Sequence, residues 1–327
     1  MFLAHAPGRS PMPVTDEAVA DLAGWLDLID PSGEEVERAT RITGLRIPTR
    51  EQLDEIESSS RLMMEGDVFY LSTPLVRRHE EDGTSDVTPI GFVLSRDRLI
   101  TVRFTDWKVF DNVTARVTGQ SLGCDADAVM VMLLEGMVDR LADGLERLGA
   151  DLDRLSGQIF RTDRERTAQV DRLLRGMLRE IGSAMDLLSD MRDSLLGVGR
   201  IALYLKANSR RSLHELLAEK VDTVRRDVDS LNDYVPQMYN KAQFLLDATL
   251  GFINIEQNNG IRVLTVVSFI GVMPTLVASI YGMNFKNIPE LNWTYGYYYA
   301  LGLMLLTIAG PLFVFWKIGW LGGLKMK

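Results

Sequence analysis

Residues 263–281 read VLTVVSFIGVMPTLVASIY, and residues 295–316 read YGYYYALGLMLLTIAGPLFVFW. The first run holds 19 residues, the second 22, and neither carries a charge. A helix needs ~20 consecutive apolar residues to cross the hydrocarbon core of a bilayer. Two such runs joined by residues 282–294 predict a membrane hairpin, and its connecting loop begins Gly282-Met283-Asn284. One hairpin cannot enclose an aqueous path, so transport would require several copies around an axis.

Working outward, charge divides the chain. Residues 261–327 hold five of the 36 basic residues and one of the 45 acids, so the first 260 residues are about 13 charges negative. An acidic body argues against nucleic acid as a partner, because that binding rests on phosphate neutralisation by Lys and Arg. It is compatible with attraction of cations, and equally with simple solubility. Cys124 is the only cysteine, which excludes a disulfide framework and a thiolate metal cluster. The opening MFLAHAPGRSPMPV lacks the apolar core of a secretory signal, so the acidic body is expected in the cytosol. Arg262 and Lys317 bracket the hairpin, with Lys325 and Lys327 beyond, whereas the loop holds one Lys and one Glu. The positive-inside rule then puts both termini in the cytosol and residues 282–294 outside, giving a multi-pass protein of the inner or plasma membrane.

The remaining sequence predicts an α+β membrane protein with a cytosolic α/β domain, long stalk helices and two C-terminal transmembrane helices. Within 1–118, strands are read at 25–29, 67–72, 88–94 and 99–104, with helix starts at Ser32-Gly33 and Thr49-Arg50 and a polar tip near His79. From Asp125 the period becomes helical: Val131, Leu134, Val138, Leu141, Leu145, Leu148, Leu152 and Leu155 form one stripe within a helical region at 119–210. A stalk helix at 211–262 follows, with a seam of Leu213, Val221, Val224, Val228, Leu231, Val235, Met238, Phe244 and Leu245. Pro236 is expected to kink it or mark its first turn. No strong break precedes Val263, so one helix running into the membrane would be ~100 Å long. The spans follow at 263–281 and 295–316, with an external loop at 282–294 and a basic tail at 317–327.

Along the first span, steps of three and four residues collect Asn258, Ile261, Leu264 or Thr265, Ser268, Val272, Thr275 and Ser279. Such an uncharged stripe suits a pore lining, and it suits helix packing equally, since small hydroxyl residues join membrane helices. The opposite face, with Val266, Phe269, Ile270, Met273, Val277 and Ile280, suits lipid or the second span. Acidic rings would hold a bare divalent ion tightly, whereas hydroxyls and aliphatics can pass one that keeps its water. Conduction needs a site that is good enough to occupy and weak enough to leave. Magnesium sheds its water reluctantly. Gly282 would turn the chain at the helix end and Asn284 offers a neutral amide acceptor, although Gly and Asn are also ordinary helix caps.

The motif does not stand alone. Tyr281-Gly282-Met283-Asn284-Phe285, then Pro289-Glu290-Leu291 and Trp293, lies between two C-terminal apolar runs. Together with residues 251–258 (GFINIEQN), Pro274–Ser279 and the ending Gly319-Trp320-Leu321, it resembles the CorA family of divalent-cation channels, strongly over about 220–321. The resemblance implies a homopentamer that passes hydrated Mg²⁺, with Co²⁺ and Ni²⁺ as further cargo, and no enzymatic activity. It implies a selectivity ring from Gly282, Met283 and Asn284, a cytosolic ring from Asn258, and apolar constrictions at Ile261, Leu264 and Val272. It also implies closure when cytosolic Mg²⁺ bridges acids between subunits. Asp222, Asp227, Asp229 and Asp233 are the candidate acids, Asp227 foremost, although exposed helix faces are normally charged anyway. Family loops usually place an acid after the motif. Here Lys286 stands there, and Glu290 is the one acid of the loop.

Among rival readings, zinc transport within the same family fits a loop of low acidity, but zinc-transporting relatives generally vary the Met that this chain keeps. A membrane-anchored sensor that binds metal without conducting would need no pore. An anchored enzyme lacks a catalytic constellation: His5, His79 and His214 are scattered, and neither a Gly-rich phosphate loop nor a nucleophile elbow occurs. No cofactor is expected, Mg²⁺ being both substrate and regulatory ligand. Partners are expected to be lipid, further copies of the chain and divalent metal ions.

Overall fold

The computed structural model describes residues 1–55, 57, 61–78, 84–119, 125–161, 167–208, 215–284 and 289–320. His79, Cys124, Leu213, His214, Phe285, Lys286, Leu321, Lys325 and Lys327, singled out above, lie outside the described residues. The chain divides into two compact units. The first comprises Met1–Asp163 and Gly176–Leu246, and the second Arg164–Arg175 and Asp247–Lys327.

The first unit is built on a mixed sheet ordered β2-β1-β3-β7-β6-β5-β4. Its strands are β1 (Phe2–His5), β2 (Met12–Pro13), β3 (Trp25–Ile29), β4 (Leu62–Glu65), β5 (Val68–Arg78), β6 (Ser85–Leu94) and β7 (Leu99–Arg103). β3 and β7 run parallel, Trp25 opposite Leu99 and Asp27 opposite Thr101. All other pairs are antiparallel. A parallel pair cannot be closed by a tight turn; here the crossover carries α2 (Gly33–Thr43), α3 (Arg50–Leu53) and three strands. A short α1 (Glu17–Asp21) precedes β3. Ser32 caps α2 reciprocally with Glu35, the local reason the chain turns from strand to helix here.

The two-residue alternation of β3 and β7 sorts their side chains. Leu26, Leu28, Ile100 and Val102 join a buried apolar cluster with Phe2, Val93 and Leu53, against which Val36 and Ile42 of α2 pack. Trp25, Asp27, Thr101 and Arg103 alternate with these and carry a buried polar chain. The Trp25 indole donates to Thr101 Oγ1 (3.0 Å), Thr101 donates to Asp27 Oδ1 (2.6 Å), and Arg103 pairs with Asp27 Oδ2 (2.9 Å). The Arg103 guanidinium also lies 4.5 Å from the Phe110 ring of α4 (Lys108–Gly119).

Helices α5 (Ala126–Arg161), α6 (Thr167–Asn208) and α7 (Glu215–Tyr281) follow. The eight-residue stripe read from Val131 to Leu155 is buried throughout. In α7 the seam residues Val221, Val224, Val228, Val235, Met238 and Leu245 are buried. Phe244 departs from that seam: it is exposed and stacks on Phe160, 6.0 Å between ring centres. Pro236 does not start the helix but lies within it, where it withholds one backbone N–H donor. The last helix, α8, spans Gly296–Lys317 after a 3₁₀ turn at Pro289–Asn292.

Candidate ion path in the membrane hairpin

In the second unit, α7 and α8 are each long and apolar enough to cross a membrane. Of the two faces read along the first span, the one opposite the stripe is the more covered, although Phe269, Met273 and Ile280 on it are exposed. Val266 and Val277 are buried, and Phe269 meets Phe315 of α8 edge-on at 5.9 Å, so this face is the one that packs against the second span. The other face stays open: Ile261, Val272 and Leu264 are exposed, the last at 67%. Asn258 and Ser268 are exposed with them. An open hollow of about 580 Å³ runs along this face, lined by Ser268, Gly271, Val272, Thr275 and Ser279 together with Val267 and Leu276. The structure thus brings Ser268, Val272 and Thr275 into one hollow. It leaves Asn258, Ile261 and Leu264 outside it, farther toward the start of the span.

Three of the four stripe hydroxyls share a geometry that defines their chemistry. Thr265 donates to the Ile261 carbonyl (2.8 Å), Thr275 to that of Gly271 (2.7 Å) and Ser279 to that of Thr275 (2.8 Å). Each proton is spent on the preceding turn, as Ser and Thr commonly do in membrane helices. What remains on each oxygen is acceptor capacity. A hydrated cation presents water hydrogens outward, and an acceptor surface suits that shell. Thr and Ser carry this polarity wherever they sit inside a membrane helix, so the sequence pattern already implies it.

At the end of α7, Gly282 donates to the Ala278 carbonyl at 2.9 Å and Met283 to that of Ile280 at 3.3 Å. Gly282 follows the last residue of α7 without a positive φ. A glycine is favoured there for space: a Cβ would lie 3.1 Å from the Ala278 carbonyl oxygen and crowd it. Gly282, Met283 and Asn284 are exposed beyond the helix. Glu290 stands in the 3₁₀ turn. Trp293 packs edge-on against Tyr299 at 5.8 Å, and Tyr295, Tyr297 and Tyr298 are exposed. Trp316 is exposed near the other end of α8. Aromatic rings at both ends of a span mark the two membrane–water interfaces.

The four stalk acids belong to the first unit and differ in environment. Asp222 accepts from Lys206 Nζ at 2.5 Å, and that ammonium, aided by Arg225 and Arg226, holds its carboxyl below the usual range. Asp229 pairs with Arg225 at 3.1 Å. Asp227 and Asp233 are exposed, and Asp227 has no ion pair among the described residues. Among the described residues no three His, Cys, Asp or Glu side chains gather around a common metal position.

A mixed-sheet body followed by long helices and a two-span hairpin defines a class of integral membrane protein. Residues 23–317 match the family described as CorA-like Mg²⁺ transporter protein. The magnesium transport protein CorA of Pasteurella multocida is 35% identical over 298 residues, 91% of this chain and 92% of that one. Its counterpart from Haemophilus influenzae (strain ATCC 51907 / DSM 11121 / KW20 / Rd) is 33% identical over 324 residues, 98% of this chain and all of that one. The complete structure of the CorA magnesium transporter from Methanocaldococcus jannaschii has the same fold, with a TM-score of 0.74, 20% identity and 98% of each chain covered. The chain belongs to the CorA family, a family of transporters rather than of enzymes.

Proposed function

We propose that this protein is a passive channel for hydrated Mg²⁺, built from several copies arranged around an axis, five by family resemblance. The open acceptor face of α7, from Ser268 through Thr275 and Ser279 toward Asn284, carries the reading. Copies that turn this face inward would surround a column of water with hydroxyl and carbonyl oxygens. They would expose no fixed charge able to trap a divalent ion. Asn284, with the backbone of Gly282 and Met283, meets the cation through its water at one mouth, and Asn258 does so at the other. Apolar rings of Ile261, Leu264 and Val272 supply constrictions that can dewet. With both termini in the cytosol, an inside-negative potential favours inward movement of a divalent cation by ~4.6 kcal/mol per 100 mV. Cytosolic Mg²⁺ held between stalk acids of adjacent copies would close the path, because like charges facing across an interface repel until a cation lies between them. Co²⁺ and Ni²⁺ are further cargo under this reading.

Purified protein in liposomes tests it. Mg²⁺ flux is expected in the native protein and its loss in Asn284→Ala, with the oligomer retained on size-exclusion chromatography. Absence of flux in the native protein would identify a non-conducting sensor instead. Preferential competition by Zn²⁺ would turn the assignment of cargo to zinc.

A further inference from the structure

The far end of the hairpin holds a charged group that the ion path does not use. Helix α8 ends in a left-handed Gly319 (φ 82°), whose N–H donates to the Trp316 carbonyl at 3.1 Å. The next N–H, of Trp320, reaches back to the Phe315 carbonyl at 2.9 Å, the bond of a Schellman turn. That turn lays the Trp320 ring flat on Phe315, 5.4 Å between centres and 6° between planes. The Arg262 guanidinium, at the start of the first span, then lies over the Trp320 ring at 5.9 Å. The side chain is exposed and has no carboxylate partner among the described residues. The acid nearest before it in sequence, Glu256, is six residues back, ~9 Å along the helix.

An arginine fixed by an aromatic face, with its N–H fork unspent, is a phosphate receptor by chemistry. Its position at the end of a membrane span is where lipid phosphates lie. Exposed Val263, Trp316 and Ile318 offer apolar surface for the attached acyl chains. We infer that Arg262, held over Trp320, binds the phosphate of an anionic phospholipid at this end of the hairpin. The site ties a lipid to the junction of both spans. It requires only that the hairpin crosses the membrane, so it stands or falls independently of ion flux.

The test uses the full-length oligomer, purified from bilayers with equal phosphatidylglycerol and phosphatidylcholine, with retained lipid read by native mass spectrometry. The native protein is expected to retain phosphatidylglycerol preferentially. Arg262→Gln is expected to lower that preference at least about ten-fold per site, the loss of a charge-assisted fork on phosphate in addition to one surface charge. Lys317→Gln removes a charge from the same end of the hairpin and is expected to lower the preference by no more than about five-fold, the effect of diffuse charge at an anionic surface. Trp320→Leu keeps every charge but releases the guanidinium, and it is expected to behave like Arg262→Gln even if that variant fails to assemble. Equal retention of the two lipids by the native protein, an unchanged preference in Trp320→Leu, or an equal loss in Lys317→Gln would overturn the inference.

Discussion

His5 shows how one residue can carry a condition for the whole first unit. Its ring stacks on Trp25 (4.0 Å, 19°), Nδ1 lies 3.4 Å from Thr114 Oγ1, and Nε2 is buried with no partner among the described residues. Burial holds its pKa below the ordinary histidine value; the Asp27 charge works the other way, and Arg103 adds to the lowering. Asp27 offers little relief, because its oxygens already accept from Thr101 and Arg103. The folded chain therefore favours neutral His5, whereas the unfolded chain takes up a proton near pH 6.5. Its contribution to stability is complete above that pH and falls by up to about 1.4 kcal/mol per unit as pH drops toward the lower folded pKa. Thermal unfolding followed between pH 7.5 and 5.5 is expected to show this loss. His5→Phe, which keeps a flat ring on Trp25, is expected to flatten the dependence in that window; an unchanged slope would assign it to other groups.

Among the elements, legibility tracked local pattern. Strands β3, β5, β6 and β7 were readable because their β-branched and aromatic runs end at turn residues, and the α5 stripe because its helical period is unbroken. β1 is not legible in the sequence: Phe2–His5 has four residues, and what makes it a strand is its pairing with β3, a contact of long sequence range. β2 and β4 failed for the same reason, being edge strands defined by a neighbour. The Asp27–Arg103 pair was invisible because parallel pairing across 76 residues places the two together. Phe244 falls outside the buried seam because a nine-residue apolar pattern predicts a facing surface but does not say which residues a neighbour covers. In α7 the hydroxyl ladder can be tested as a unit. Thr275→Val preserves shape and removes one acceptor, and Ser279→Ala removes another while freeing the Thr275 carbonyl. The double variant is expected to reduce Mg²⁺ flux on the order of ten-fold, about one to two hydrogen bonds of stabilisation for the passing hydrated ion. Span insertion and oligomer yield should stay unchanged, and undiminished flux would place these hydroxyls in helix packing rather than on the path.

For the whole molecule, the proposal couples an acidic body to an uncharged path, and charge environment distinguishes which acids can act between copies. Asp222 is already neutralised within its own chain by Lys206, and Asp229 by Arg225. A metal bridging copies through either would first have to displace an internal cation. Asp227, exposed and without an ion pair among the described residues, faces no such competition. If Mg²⁺ closes the path by neutralising facing acids, losing one such carboxylate removes both repulsion and ligand from every interface. Asp227→Ala is therefore expected to leave residual Mg²⁺ flux at internal Mg²⁺ concentrations that silence the native protein. The midpoint for silencing should rise about ten-fold, equivalent to ~1.4 kcal/mol of lost ion binding. Asp222→Asn should leave that midpoint within about two-fold, because it mainly breaks the ion pair with Lys206, a surface pair worth little by itself. Liposome flux titrated with internal Mg²⁺ separates the two variants. Equal midpoints in Asp227→Ala and the native protein would remove Asp227 from the gate, and a large shift in Asp222→Asn alone would mean that the internal ion pair opens before metal binds.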